Sequence, residues 1–317
     1  MKRSGFLQLF LLIRAAQPLQ LLVGIITYSL GAGIVVYLGD NLNWTNFLLG
    51  QLVVLMLLLS SSWLNSYFDA LDFPQFELPI RDSGKQDQKK NESVSAFPSR
   101  RLALQAALTT LAVGAVLTVL LFKQSVLRLP EFAVLGLAFG LAFFYSVPPL
   151  RLVYSGYGEL VQAVLLVTLI PSFSYMLQSG ELHRLLAILT FPLSMLYLAM
   201  LLAFSLRSYA NDLKYQYIDG YRVRRKMMIR LGWRRGMILH NALITSAYLL
   251  LGASFLVGLP WRLTWPGLLT LPVGAFQIWQ VIQIANGAPT RWRVLLLSAV
   301  TTFTLTSYFI TISLWTG

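Results

Sequence analysis

The chain has 317 residues, of which 56% are hydrophobic and only 12% charged. Soluble globular proteins hold about 45–50% apolar residues, so a single water-soluble core is excluded and a polytopic helical membrane protein is indicated. The net charge of +13 would suggest nucleic acid in a soluble protein, and the lack of cysteine excludes disulfides and thiolate metal sites.

In chain order, Met1 to Arg14 carries Lys2, Arg3 and Arg14 around a short apolar stretch with no small-residue cleavage site. That pattern predicts an uncleaved interfacial segment. Apolar spans then run Leu19–Leu38, Phe47–Leu64, Leu102–Phe122, Phe132–Val147, Leu160–Leu177, Leu185–Leu206, Met237–Leu259, Leu268–Ile284 and Val294–Trp315, nine in all. The fourth is short, and Gly136 and Gly140 within it predict close helix packing. Pro260, Pro266 and Pro272 cluster nearby and blur the ends of the eighth and ninth. Trp261, Trp265 and Trp315 sit near span ends and read as interfacial anchors. His183 and His240 are far apart in the chain and make no histidine-based metal site.

Nine spans place alternate loops on opposite sides, and 21 of the 25 Lys and Arg residues fall on one of them. Lys123, Arg128, Arg184 and Arg262 are the four on the other. The basic side is therefore expected to be cytoplasmic, with the N-terminus on it. The net charge is then accounted for by topology and anionic-lipid contact, and no nucleic-acid partner is expected. The whole chain, 1–317, is read as one transmembrane domain, with cytoplasmic loops over 74–99 and 211–235.

Both loops follow acidic helix ends. Asn65, Asp69 and Asp72 stand at i, i+4 and i+7, so a helix puts all three on one face. A second cluster, Tyr209 to Asp219, holds Asn211, Asp212, Lys214 and Asp219, with Asp212 and Asp219 again seven apart. Desolvating carboxylates at the mouth of a membrane helix costs several kcal/mol. Two such helix ends facing one cavity would suit Mg²⁺, which takes one or two carboxylates and completes its shell with substrate phosphate oxygens. Arg151, Arg207, Lys214, Arg222, Arg224, Arg225 and Lys226 are the nearby cations that could hold a diphosphate. A third segment on the same side reads Tyr145-Ser146-Val147-Pro148-Pro149-Leu150-Arg151, then Gly156-Tyr157-Gly158-Glu159. Its prolines end the fourth helix and stiffen the link.

Taken together, these three segments resemble the UbiA superfamily of intramembrane aromatic prenyltransferases over essentially the whole chain. The segment Tyr175 to Glu181 and Arg230-Leu231-Gly232 look like its menaquinone branch, the 1,4-dihydroxy-2-naphthoate prenyltransferases. The resemblance implies an all-α fold of about nine transmembrane helices around a central cavity opening to the cytoplasm. It implies Mg²⁺-dependent transfer of a prenyl group from a prenyl diphosphate to an aromatic acceptor such as 1,4-dihydroxy-2-naphthoate, in quinone biosynthesis. The expected location is the plasma membrane of a prokaryote, with the active site cytoplasmic. Asp69, Asp72, Asp212 and Asp219 are the implied metal ligands, and Asp69, Asp219 and Tyr145 the implied catalytic residues. Asn65, Asn211, Arg151, Lys214 and Arg222 are the implied substrate-binding residues. The family's third position of the first motif falls on Phe73, with Asp72 one residue early, and Tyr215 takes the middle position of the second. A non-catalytic relative acting as a membrane transporter or lipid-binding protein is the alternative these departures leave open.

Overall fold

The computed structural model describes residues 5–72, 98–124, 128–215 and 227–317, which are helical almost throughout, with no strand among the described residues. The helices are α1 (Gly5–Ala15), α2 (Pro18–Tyr37), α3 (Trp44–Asp72), α4 (Arg100–Lys123), α5 (Leu129–Ser146), α6 (Gly158–Val164), α7 (Ile170–Ser179), α8 (Arg184–Tyr215), α9 (Met227–Leu231), α10 (Trp233–Ala253), α11 (Trp261–Leu268), α12 (Leu271–Ala285) and α13 (Trp292–Thr316). Helix is the forced choice here, because lipid offers no partner to an unpaired backbone amide. Eight helical segments are long and apolar enough to cross a membrane, Gly158–Ser179 counting as one, and α11 with α12 makes a ninth bent by 41°. The bend falls in the proline-rich stretch of the eighth expected span.

Helix α1 precedes the first span and packs on α3, with Trp63 Nε1 donating to the Leu12 carbonyl at 3.1 Å. Its Leu11 is buried while Leu9, Phe10 and Ile13 stay exposed, as an interfacial helix requires. The first half of the bundle closes α3 on α4 and α2 on α7; the second closes α8 on α10 and α13 on α11 and α12. Helix α2 bridges the halves through α13, where Trp315 Nε1 donates to the Ser29 carbonyl at 3.0 Å. Trp315 also joins Trp44 and Phe47 in an aromatic cluster at the weakly basic end. Between α6 and α7 the backbone widens into a π turn over Leu165–Leu169, ahead of Pro171, which has no N–H to continue the ladder.

Close approach rests on Gly31, where an added Cβ would lie 2.2 Å from the Pro171 carbonyl oxygen. The expectation for Gly136 and Gly140 is corrected: a Cβ at either would meet nothing within 4 Å. The reason is rotational. Helix α5 buries Leu135, Ala138, Ala142 and Ser146, a stripe on a different face of the helix from the two glycines. Helix α8 runs on to Tyr215, and Met227–Leu231 and Trp233 onward are helical again.

Candidate active site

Helix α3 delivers the polar groups, and its own serines set its rotation. Ser60 Oγ donates to Ala107 O of α4 at 3.1 Å, and Ser61 Oγ to Ala142 O of α5 at 2.7 Å. Ser146 Oγ returns a bond to Ser61 O at 2.8 Å. Consecutive helical residues point about 100° apart, so with Ser60 and Ser61 tied to α4 and α5, Ser62 turns inward. Below it, at helical spacing, come Asn65, Ser66 and Asp69. Ser62 Oγ, Asn65 Oδ1 and Ser66 Oγ are buried without a hydrogen-bond partner among the described residues. Each such atom costs about 1–3 kcal/mol. A row of three leading to a buried carboxylate marks a wall that meets a polar ligand.

Asp69, 3% exposed, closes the row. Arg151 Nη2 donates to its Oδ1 at 2.9 Å, and the Tyr154 hydroxyl donates to the same oxygen. Both partners come from the link after α5. Val147 ends α5 with extended backbone, the Pro148–Pro149 bond is cis, and Arg151 adopts a left-handed conformation at φ 38°. That conformation costs a non-glycine residue about 1–3 kcal/mol and aims the guanidinium at Asp69. A 3₁₀ turn over Leu152–Tyr154 then brings the Tyr154 ring to 4.6 Å from the guanidinium carbon. Phe68 lies on the guanidinium too, at 5.9 Å. Arg151, 9% exposed, is thus held by a carboxylate and two aromatic faces.

Glu159, in the first turn of α6, performs a second tie. Its Oε1 accepts from Ser205 Oγ of α8 at 2.6 Å, and its Oε2 from the Met227 N–H at the start of α9 at 3.3 Å. Gly156 has φ +80°, and a Cβ there would lie 2.4 Å from Arg230 Cδ, whose guanidinium covers the Tyr157 ring at 4.4 Å. Tyr209 stacks on Trp233 at 5.9 Å. The end of α8 and the start of α9 and α10 are so fastened beside the Arg151 link.

Of the residues expected from sequence, Asn65, Asp69 and Arg151 are brought together. Tyr145 sits half-buried in the last turn of α5. Asp72, Asn211, Asp212 and Lys214 lie on the final turns of α3 and α8, and their side chains fall outside the described ones. Asp219 and Arg222 fall outside the described residues altogether. Sequence reading missed Tyr154, Ser62 and Ser205. Tyr154 follows Arg151 by three residues, but the left-handed backbone that brings it to Asp69 leaves no signal in the sequence. Among the described residues no three His, Cys, Asp or Glu side chains group as a metal site. Asp69 and the partnerless Asn65 Oδ1 are oxygen donors one turn apart, a set that fits a hard cation completing its shell with phosphate oxygens.

No family model matches the chain, and no curated protein matches its sequence. Solved structures do match. A UbiA homologue from Archaeoglobus fulgidus superposes with a TM-score of 0.58 at 16% identity, covering 96% of this chain and 97% of its own. The chain has the UbiA fold. The same archaeal homologue bound to GPP and Mg²⁺ matches with TM-score 0.58 at 14% identity over 96% and 99% of the two chains. A structure described for the biosynthesis of digeranylgeranylglyceryl phosphate synthase in membranes matches with TM-score 0.56 at 13% identity over 99% of both. Across that distance the polytopic helical membrane architecture is shared from end to end.

Proposed function

We propose that this integral membrane protein belongs to the UbiA superfamily and transfers a prenyl group from a prenyl diphosphate to an acceptor, with Mg²⁺ at Asp69. The observation that carries this reading is the row Ser62, Asn65, Ser66 and Asp69, with Arg151 and Tyr154 across it, at the basic end of the bundle. GPP and Mg²⁺ bound to a protein of the same fold support it. So does the family motif in sequence, which assigns Asp72, Asp212 and Asp219 to the metal and Asn211, Lys214 and Arg222 to the substrate.

The metal, when bound, neutralises charge on the leaving diphosphate and so assists loss of the allylic C–O bond. The electron pair of that bond leaves with the diphosphate; the allylic carbon forms a new bond to an acceptor carbon, and the acceptor ring gives up a proton to an oxygen of the released diphosphate. Arg151 supplies a cation to the departing phosphate oxygens, a charge-assisted contact aimed where negative charge develops. Phe68, Tyr154 and Tyr145 present aromatic faces that shield an allylic cation from water. The apolar interior among the spans receives the isoprenoid tail. The acceptor is an aromatic ring of the 1,4-dihydroxy-2-naphthoate type, placing the reaction in quinone biosynthesis. The site then faces the cytoplasm of a prokaryotic cell, the side that carries most of the chain's lysines and arginines.

The test is product mass spectrometry. Reconstituted protein is given Mg²⁺, geranyl or longer prenyl diphosphates, and a panel of dihydroxynaphthoate, hydroxybenzoate and glyceryl phosphate acceptors. A prenylated naphthoate that vanishes in Asp69→Ala and Asp219→Ala is expected. Full activity in both variants removes the metal assignment. Binding of the diphosphate without turnover of any acceptor gives the chain to the non-catalytic, lipid-binding alternative.

A further inference from the structure

At the basic end of the bundle, α12 and α13 part around the turn that joins them and leave a cavity of about 400 Å³. Trp279, Gln280, Gln283, Ile284 and Leu295 line it, with Arg291 at the start of α13. No residue of the Asp69 site contributes. Phe276 and Trp279, also lining residues, are 43% and 54% exposed and stack at 5.7 Å, so this wall faces lipid. From Phe276 to the end of α12 at Ala285 is nine residues, about 14 Å of helix. That is the depth of one leaflet of a hydrocarbon core about 30 Å thick.

Charge supplies the second observation. After Asp219 the chain has no Asp or Glu, yet it carries ten Lys and Arg residues, nine of them on the basic side. Arg234, Arg235, Arg291 and Arg293 are exposed there, and none has an ion-pair partner among the described residues. Trp233 meets Trp292 ring to ring at 6.5 Å, which sets the two arginine pairs side by side. Inside the groove the polar side chains are the Arg291 guanidinium and two carboxamides, all of which carry N–H donors. Ser298 Oγ donates to Gln280 Oε1 at 3.0 Å, leaving the amide N–H₂ as the donor end.

We propose that this groove binds an anionic phospholipid, its phosphate at Arg291 and Gln283 and an acyl chain along Ile284, Trp279 and Phe276. A soluble anion would have no use for the apolar wall, and an apolar chain none for the arginines. One amphiphile satisfies both.

Native mass spectrometry of the full chain in a neutral detergent tests this, with phosphatidylglycerol or phosphatidylcholine added. Wild type should retain one phosphatidylglycerol in preference to phosphatidylcholine. Arg291→Gln should cut that preference roughly fivefold, the attraction one arginine contributes at an anionic surface. Gln283→Leu should weaken it as well, while Arg293→Gln, which does not line the groove, should change it less than Arg291→Gln does. Unchanged melting temperatures certify that the variants are folded. Equal retention of both lipids by wild type, or equal losses in Arg291→Gln and Arg293→Gln, overturns the proposal. Displacement of phosphatidylglycerol by geranyl diphosphate overturns it too, because the groove would then belong to the prenyl substrate. The prenyltransferase reading stands or falls separately, since none of these measurements involves turnover.

Discussion

The pair Asp69–Arg151 yields the sharpest prediction, because it separates what holds the site together from what the site does. The side chains are 4% and 10% exposed with an N–O distance of 2.9 Å. At an effective dielectric constant near 20 the attraction at that distance is about 6 kcal/mol, much of it cancelled by desolvation. Removing one member takes the opposite charge away from the other, which costs about 3–5 kcal/mol. Asp69→Asn and Arg151→Gln should therefore each lower the melting temperature of the detergent-purified protein by about 6–10 °C, taking roughly 2 °C per kcal/mol for a large domain. The double variant leaves no bare charge and should be less damaged than the sum of the singles by at least about 2 kcal/mol. Turnover must behave differently. If Asp69 takes a cation and Arg151 the diphosphate, activity is lost in each single variant and stays lost in the double. Stabilities that add to within about 0.5 kcal/mol refute the coupling. Recovery of activity in the double variant refutes the functional assignment of both residues.

Two further outcomes follow from packing. Gly31→Ala forces a Cβ to 2.2 Å from the Pro171 carbonyl oxygen and should destabilise by about 1–3 kcal/mol in thermal unfolding, whereas Gly136→Ala and Gly140→Ala meet nothing and should be neutral or stabilising by up to about 1 kcal/mol each. Glu159→Leu removes the acceptor of both the Ser205 hydroxyl and the Met227 N–H and should cost about 2–3 kcal/mol, with Glu159→Gln retaining most of that stability; a loss from Glu159→Gln equal to that of Glu159→Leu would show that the carboxylate charge, not the hydrogen bonds, is what matters.

The spans were legible because lipid makes a uniform demand: about 20 apolar residues, all helical. Lateral order is less uniform, and that is where the reading slipped. Gly136 and Gly140 match a small-residue packing pattern, but one helical step decides whether such a pair faces a neighbour or lipid, and α5 turns Ala138 and Ala142 inward instead. Asn65 and Asp69 were legible because their spacing equals the helical repeat. Tyr154 was not, since its approach to Asp69 depends on the left-handed backbone at Arg151, a conformation that no residue preference announces at an arginine. Ser62 reads as an ordinary small residue in an apolar span. Only the hydrogen bonds of Ser60 and Ser61 to the flanking helices reveal which way the neighbouring serine points.

The arrangement around Asp69 also bears on how a membrane-embedded carboxylate is tolerated before any ligand arrives. A bare carboxylate with 3% exposure would be strongly disfavoured, and the guanidinium of Arg151 with the Tyr154 hydroxyl offsets that cost. Under the proposed reaction the same two charges need not be destroyed when substrate binds. Arg151 exchanges the carboxylate for a diphosphate oxygen, and Asp69 exchanges the guanidinium for a cation, so each buried charge keeps a partner of opposite sign throughout. The uncharged atoms of the row change in the other direction. Ser62 Oγ, Asn65 Oδ1 and Ser66 Oγ, partnerless among the described residues, gain partners when the polar end of a ligand reaches them. The charged members of the site therefore account for its persistence without ligand, and the neutral members contribute affinity that is realised only on binding.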